Sequence, residues 1–109
     1  MKKIYVIHHS HTDIGYTDLQ ESVIFRQVSG IRKAVRLMKE GYEKDTPYKD
    51  FKWNCETYYC VEQYLRTVSE EEQETFFELV RRGNIGISAN YLNFNDLADC
   101  GALARKTTQ

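Results

Sequence analysis

IYVIHHSHTDIGYTD, residues 4–18, is the stretch on which the fold reading turns. It opens with four apolar residues, of which Ile4, Val6 and Ile7 are β-branched. A short apolar run of this kind reads as a strand buried on both faces, as in a parallel sheet. The polar, histidine-rich segment after it reads as a loop at the strand's carboxyl end. A helix is then predicted from about Leu19 to Tyr42. Ile24, Val28, Ile31, Val35, Met38 and Tyr42 recur there at spacings of three or four and make one apolar stripe. Gly30 interrupts the stripe and marks either a kink or a close contact.

Beyond the turn EKDTPYKD, residues 43–50, Phe51 to Asn54 is a second candidate strand. Tyr58, Val61 and Leu65 stand at helical spacing. Ser69 followed by Glu72 is a capping box that opens a third helix, with Phe76, Leu79 and Val80 inward. Arg81 and Arg82 suit the end of that helix, and Gly83 suits the residue just past it. Ile85 and Ile87 alternate with Gly86 and Ser88, so residues 84–89 read as a third strand. From Asn90 to Gln109 the sequence is polar and weakly periodic, with a helical hint near Leu103.

The order strand, helix, strand, two helices, strand predicts an α/β fold: a parallel sheet with right-handed crossover helices. Three strands alone leave exposed edges and little cover. The expectation is therefore that residues 1–109 are one unit whose natural fold is larger than this chain.

Composition narrows the function classes. In 109 residues, 15 Lys+Arg stand against 16 Asp+Glu. The near-neutral balance carries no basic stripe, so no nucleic-acid partner is expected. The apolar run at residues 4–7 is too short for a signal-peptide core or a membrane span, so no membrane partner is expected either. Cys55, Cys60 and Cys100 are odd in number and lack C-x-x-C spacing, which points to reduced, buried thiols and a cytoplasmic setting.

The chemistry concentrates behind the first predicted strand. His8, His9 and His11 lie within four residues, with Asp13 and Asp18 close by. Open α/β sheets bind ligands at the carboxyl ends of their strands. The second strand would deliver Trp53, Asn54 and Glu56 to that rim, and the third Asn93, Asn95, Asp96 and Asp99. His11 and Asp13 project to the same side of an extended loop. A neutral imidazole and a carboxylate suit zinc, and Asp96 would complete the three protein ligands of a catalytic site. The plainer alternative packs one histidine under the loop, leaves another solvated and uses Asp13 to cap the turn before Gly15. Tyr16 is either a platform for a sugar ring or a half-buried packing residue.

HSHTDIGY, residues 9–16, resembles the H-S-H-x-D-x-G-W pattern of glycoside hydrolase family 38, the retaining α-mannosidases, with tyrosine in place of tryptophan. FKWNCETYY, residues 51–59, is similar to the family's second strand and its Trp-x-x-Glu. RRGNIGISANYLNFND, residues 81–96, is similar to the stretch entering its nucleophile strand, and residues 103–105 resemble the end of a nearby family segment. The resemblance implies the N-terminal part of a seven-stranded (β/α) glycosidase domain. It implies that His11 and Asp13 are zinc ligands, that Asp96 is both ligand and nucleophile, and that Tyr16 contacts an α-mannoside-like substrate. Counting forward from Gly83 reaches Asp96, whereas counting back from Arg105 lands nearer Phe94. The family's fourth ligand, a distal histidine, has no counterpart in these residues.

The implied activity is zinc-dependent, retaining hydrolysis of α-mannosides in carbohydrate metabolism, one zinc per complete site. A carboxylate would attack the anomeric carbon and a second carboxyl group would serve the leaving oxygen and then water. The 109 residues alone are expected to be inactive. Two other readings stay open: a metal-dependent amide or phosphoester hydrolase using the H-x-H pair His9 and His11, and a non-catalytic, truncated sugar-binding remnant.

Overall fold

A computed structural model describes residues 2–8, 10–11, 13–92 and 105. Helix α1 spans Gln20–Glu43, and a single 3-10 turn covers Pro47–Asp50. Strand β1 (Trp53–Cys55) leads into α2 (Tyr58–Thr67) and α3 (Glu70–Arg81), and β2 (Ile85–Ile87) follows. The two strands pair in parallel, with Trp53 beside Ile85, Asn54 beside Gly86 and Cys55 beside Ile87.

This architecture corrects the predicted fold class. Among the described residues there are three helices and one two-stranded sheet, which is not a fragment of a seven-stranded (β/α) glycosidase domain. The predicted first strand is the main error. Among the described residues no strand pairs with residues 4–7, which are 76–92% exposed. A strand buried on both faces needs a neighbour at its edge and cover above and below. The helices give that cover to β1 and β2 and leave none for Ile4–Ile7.

The core forms where three helical faces meet the strand pair. Ile31, Val35 and Met38 of α1 pack with Val61 and Tyr64 of α2, Phe76 and Leu79 of α3, and Cys55 and Ile85 of the strands. These positions follow the predicted stripes, because residues three and four apart share one side of a helix. Gly30 leaves α1 unbroken and lies beside the Trp53 ring, where a Cβ would come within 3.6 Å. That is ordinary van der Waals contact, so α1 and the Trp53 ring meet here without the position requiring glycine.

The ends of α3 are set by local chemistry. Ser69 Oγ accepts the Glu72 amide at 3.3 Å. The Glu72 carboxylate receives the Tyr64 hydroxyl at 3.1 Å and Arg32 at 3.2 Å, tying α3 to both other helices. At the far end Gly83 takes φ +72°, its amide donates to Val80 O, and the Asn84 amide donates to Leu79 O. That is a Schellman closure, which glycine adopts without steric cost.

The chain leaves this closure through a buried asparagine. Asn84 is 2% exposed. Its side-chain amide donates to the carbonyls of Lys49 and Phe51, and its oxygen accepts the Tyr42 hydroxyl at 2.8 Å. Its own carbonyl accepts the Trp53 amide. One side chain thereby joins the end of α1, the 3-10 turn and the start of both strands. Among the described residues no helix is long and apolar enough to cross a membrane.

Candidate functional site

Strand β1 holds the histidine segment at three successive points. The Trp53 ring lies against the His8 ring, with centroids 4.7 Å apart. The Asn54 side-chain amide donates to the His8 carbonyl at 2.9 Å. Just past the strand, Glu56 Oε1 meets His11 Nδ1 at 2.9 Å, and His11 Nε2 in turn meets Asp13 Oδ1 at 3.0 Å. His11 and Glu56 are 45 residues apart in sequence. The exit from β1 brings them together.

The two carboxylates differ in their surroundings. The Glu56 side chain is 6% exposed, while those of His11 and Asp13 are 63% and 50% exposed. The pair His11–Asp13 therefore opens to solvent with Glu56 behind it. The hydrogen bond to Glu56, with the charge of Asp13 beside it, raises the His11 pKa above the ordinary histidine value.

The third rim element reaches the same corner. Beyond β2, the carbonyls of Asn90 and Tyr91 accept the amides of Tyr58 and Tyr59. The first turn of α2 is thus capped by backbone from the far end of the chain, since the Thr57 side chain makes no cap there. Tyr91 also donates to Glu62 at 2.6 Å, through its hydroxyl. This brings residues 90–91 to the turn immediately after Glu56.

Of the site residues read from the sequence, His11 and Asp13 are in direct contact. Tyr16 lies in the turn before α1, 96% exposed. Asp96, His9, Cys100 and Leu103 fall outside the described residues. The sequence reading delivers Glu56 to the rim beside the histidines but gives it no ligand or catalytic role. Its motif gave a signal: the Trp-x-x-Glu spacing places it one residue past β1. Cys55 and Cys60 are free and buried, and face the core. Burial pushes the Cys55 thiol up to about 12.

The donor set can be tested against zinc on its own chemistry. With Nδ1 of a neutral His11 donating to Glu56, the remaining ring nitrogen offers a lone pair toward a carboxylate. Two acceptors 3.0 Å apart repel unless a proton or a cation lies between them. A neutral imidazole beside a carboxylate, backed by a second carboxylate on the other ring nitrogen, is a suitable zinc donor pair. Among the described residues no group of three or more His, Cys, Asp or Glu side chains is arranged to hold a metal ion. His11 and Asp13 thus fit as two donors, and a third must come from elsewhere.

Comparison of the chain with protein-family models, with curated proteins and with solved structures finds no match.

Proposed function

We propose that this chain carries part of a zinc-dependent, retaining glycoside hydrolase centre of the α-mannosidase type. The observation that carries the reading is the His11–Asp13 contact backed by buried Glu56. Its residues coincide with the H-S-H-x-D and Trp-x-x-Glu motifs on which the family resemblance stands. His11 and Asp13 are the metal-holding residues, and Asp96 is the third ligand and nucleophile by resemblance. Zinc supplies a Lewis acid that grips sugar hydroxyls and favours a distorted ring. Asp13 and His11 supply the fixed donors, and the open side of the pair admits a saccharide. Tyr16, fully presented to solvent, is available to an α-mannoside as an aromatic face.

The fourth ligand that the resemblance implies, a distal histidine, has no counterpart in these residues. The 109-residue protein is therefore expected to bind zinc weakly and to leave a nitrophenyl α-mannoside intact. We assign it to the cytoplasm, a setting supported by the free thiols of Cys55 and Cys60.

The test is zinc binding by titration calorimetry on the wild type and Asp13→Ala. Binding that Asp13→Ala weakens at least tenfold supports the reading. Equal affinity in both proteins, or none in a folded wild type, overturns it. Turnover of the mannoside by the 109-residue protein would overturn the expectation of inactivity.

A further inference from the structure

We infer that the cleft between α1 and the segment Phe51–Trp53 is a binding site for a small carboxylate with an apolar body. It shares no residue with the His11–Asp13 pair, so failure of the zinc reading leaves it standing.

The cleft follows from spacing on α1. Gly30, Ala34 and Leu37 recur at intervals of four and three and share one side of the helix. The first two add little bulk, and a cavity of about 430 Å³ stays open between this row and the residues Phe51 and Trp53. Small-molecule sites span about 300–1,000 Å³, so the space suits a small ligand. The apolar wall is incompletely covered: Phe51 is 36% exposed, and Leu37 and Trp53 are half-buried. Covering such a wall with an apolar ligand removes it from water, which is favourable.

The charge at the mouth selects the kind of ligand. Lys33, Arg36 and Glu40 line the same cleft, again at intervals of three and four. Glu40 already has a cation, since Lys44 Nζ lies 3.5 Å from its carboxylate. Arg26, Arg32 and Lys39 of the same helix pair with Asp18, Glu72 and Glu71. Among the described residues Lys33 and Arg36 make no salt bridge and no side-chain hydrogen bond. Two cations left over beside an apolar wall complement a carboxylate carried on an apolar body. The chain's own apolar run at residues 4–7 does not suit them, because it follows Lys2 and Lys3 and holds no acidic residue. The Trp53 ring also lies against the His8 ring, so a ligand in the cleft bears on the segment that leads to His11.

Trp53 is the single tryptophan of the chain, so its fluorescence reports on the cleft directly. The 109-residue protein is titrated with octanoate and, separately, with octylammonium, which carries the same tail and the opposite charge. Octanoate is expected to move the Trp53 emission to the blue, with a dissociation constant on the order of a millimolar. Octylammonium should bind at least about tenfold more weakly. An exposed ion pair contributes modestly, so Lys33→Gln and Arg36→Gln should each weaken octanoate binding about threefold, and both together about tenfold. Added salt should act in the same direction. Absence of a Trp53 response to octanoate overturns the inference, as does an equal response to the two probes, and that comparison needs no variant to fold. Unchanged affinity in the double variant also overturns it. So does an acidic peptide that shifts Trp53 where octanoate does not, which would make the cleft a contact for a partner chain.

Discussion

IYVI at residues 4–7 reads as a strand from its apolar run and residues 84–89 read as one from the alternation around Ile85 and Ile87, and the two end differently. Ile85 is 3% exposed in the core, whereas residues 4–7 stand 76–92% exposed. Their composition does not separate them. Ile85 arrives at its place because α3 stops at Gly83 and Asn84 turns the chain beside β1. Among the described residues no strand lies beside Ile4 to receive it. An apolar pattern shows that a residue gains by leaving water; a partner already in place decides whether it does.

The largest effect should come from emptying the core that receives Ile85. Phe76 is fully buried, with its ring 5.3 Å from that of Tyr64. Phe76→Ala is expected to cost about 3–5 kcal/mol, a large share of a small domain's stability. Urea denaturation measures it. A loss below about 1 kcal/mol would mean that the contrast between the two runs is not one of packing.

The same contrast explains what was legible in the sequence. The helices were, because three-and-four spacing, the Ser69 cap and Gly83 are local signals, and each acts within a turn of the chain. The sheet was only partly legible. Asn84, a polar side chain at the head of a strand, gave no sign that it would be buried with its hydrogen bonds met by Lys49, Phe51 and Tyr42. The candidate site divides in the same way. His11 and Asp13 are neighbours in sequence and were paired at once. Glu56 joins them only through the strand register, so its role depends on a contact across 45 residues.

Gly86→Ala sharpens the comparison at the point where the packed strands hold the loose segment. A Cβ on Gly86 would run into the side-chain oxygen of Asn54, whose amide holds the His8 carbonyl. Asn54 is expected to swing away and release that bond, at about 1 kcal/mol. Stability should change little, while the His8 and Trp53 resonances move and amide exchange between residues 4 and 8 speeds up. Unaltered His8 and Trp53 signals would show that Asn54 does not anchor the segment.

A smaller effect appears only in alkali. The Cys55 thiol is pushed up to about 12, first by burial and then by Cys60. Between the ordinary thiol value, about 8.5, and that value, the folded chain keeps a proton that the unfolded chain releases. Stability must therefore fall as pH rises through this window. Cys60 and Tyr64 are shifted the same way by burial and add to the slope. Cys55→Ala should make the alkaline decline shallower without abolishing it, as read from melting temperatures across the range. A slope identical to the wild type would place the thiol outside the core.

The smallest effect tests the other side of the comparison. Val6 is 92% exposed and Ile4 88% exposed. Hydrophobic stabilisation scales with the apolar area removed from water, and almost none has been removed at either residue. Ile4→Ser combined with Val6→Ser should therefore shift stability by less than about 0.5 kcal/mol, the usual range for a surface change. The same substitution of Ile85, chemically alike, should cost several times more, because its side chain is enclosed and a hydroxyl there would lack a partner. Near-equal losses at the two places would mean that residues 4–7 are covered in solution, and that the first strand read from the sequence forms after all. A difference of the expected size would confirm that the two runs are separated by their surroundings and not by their composition.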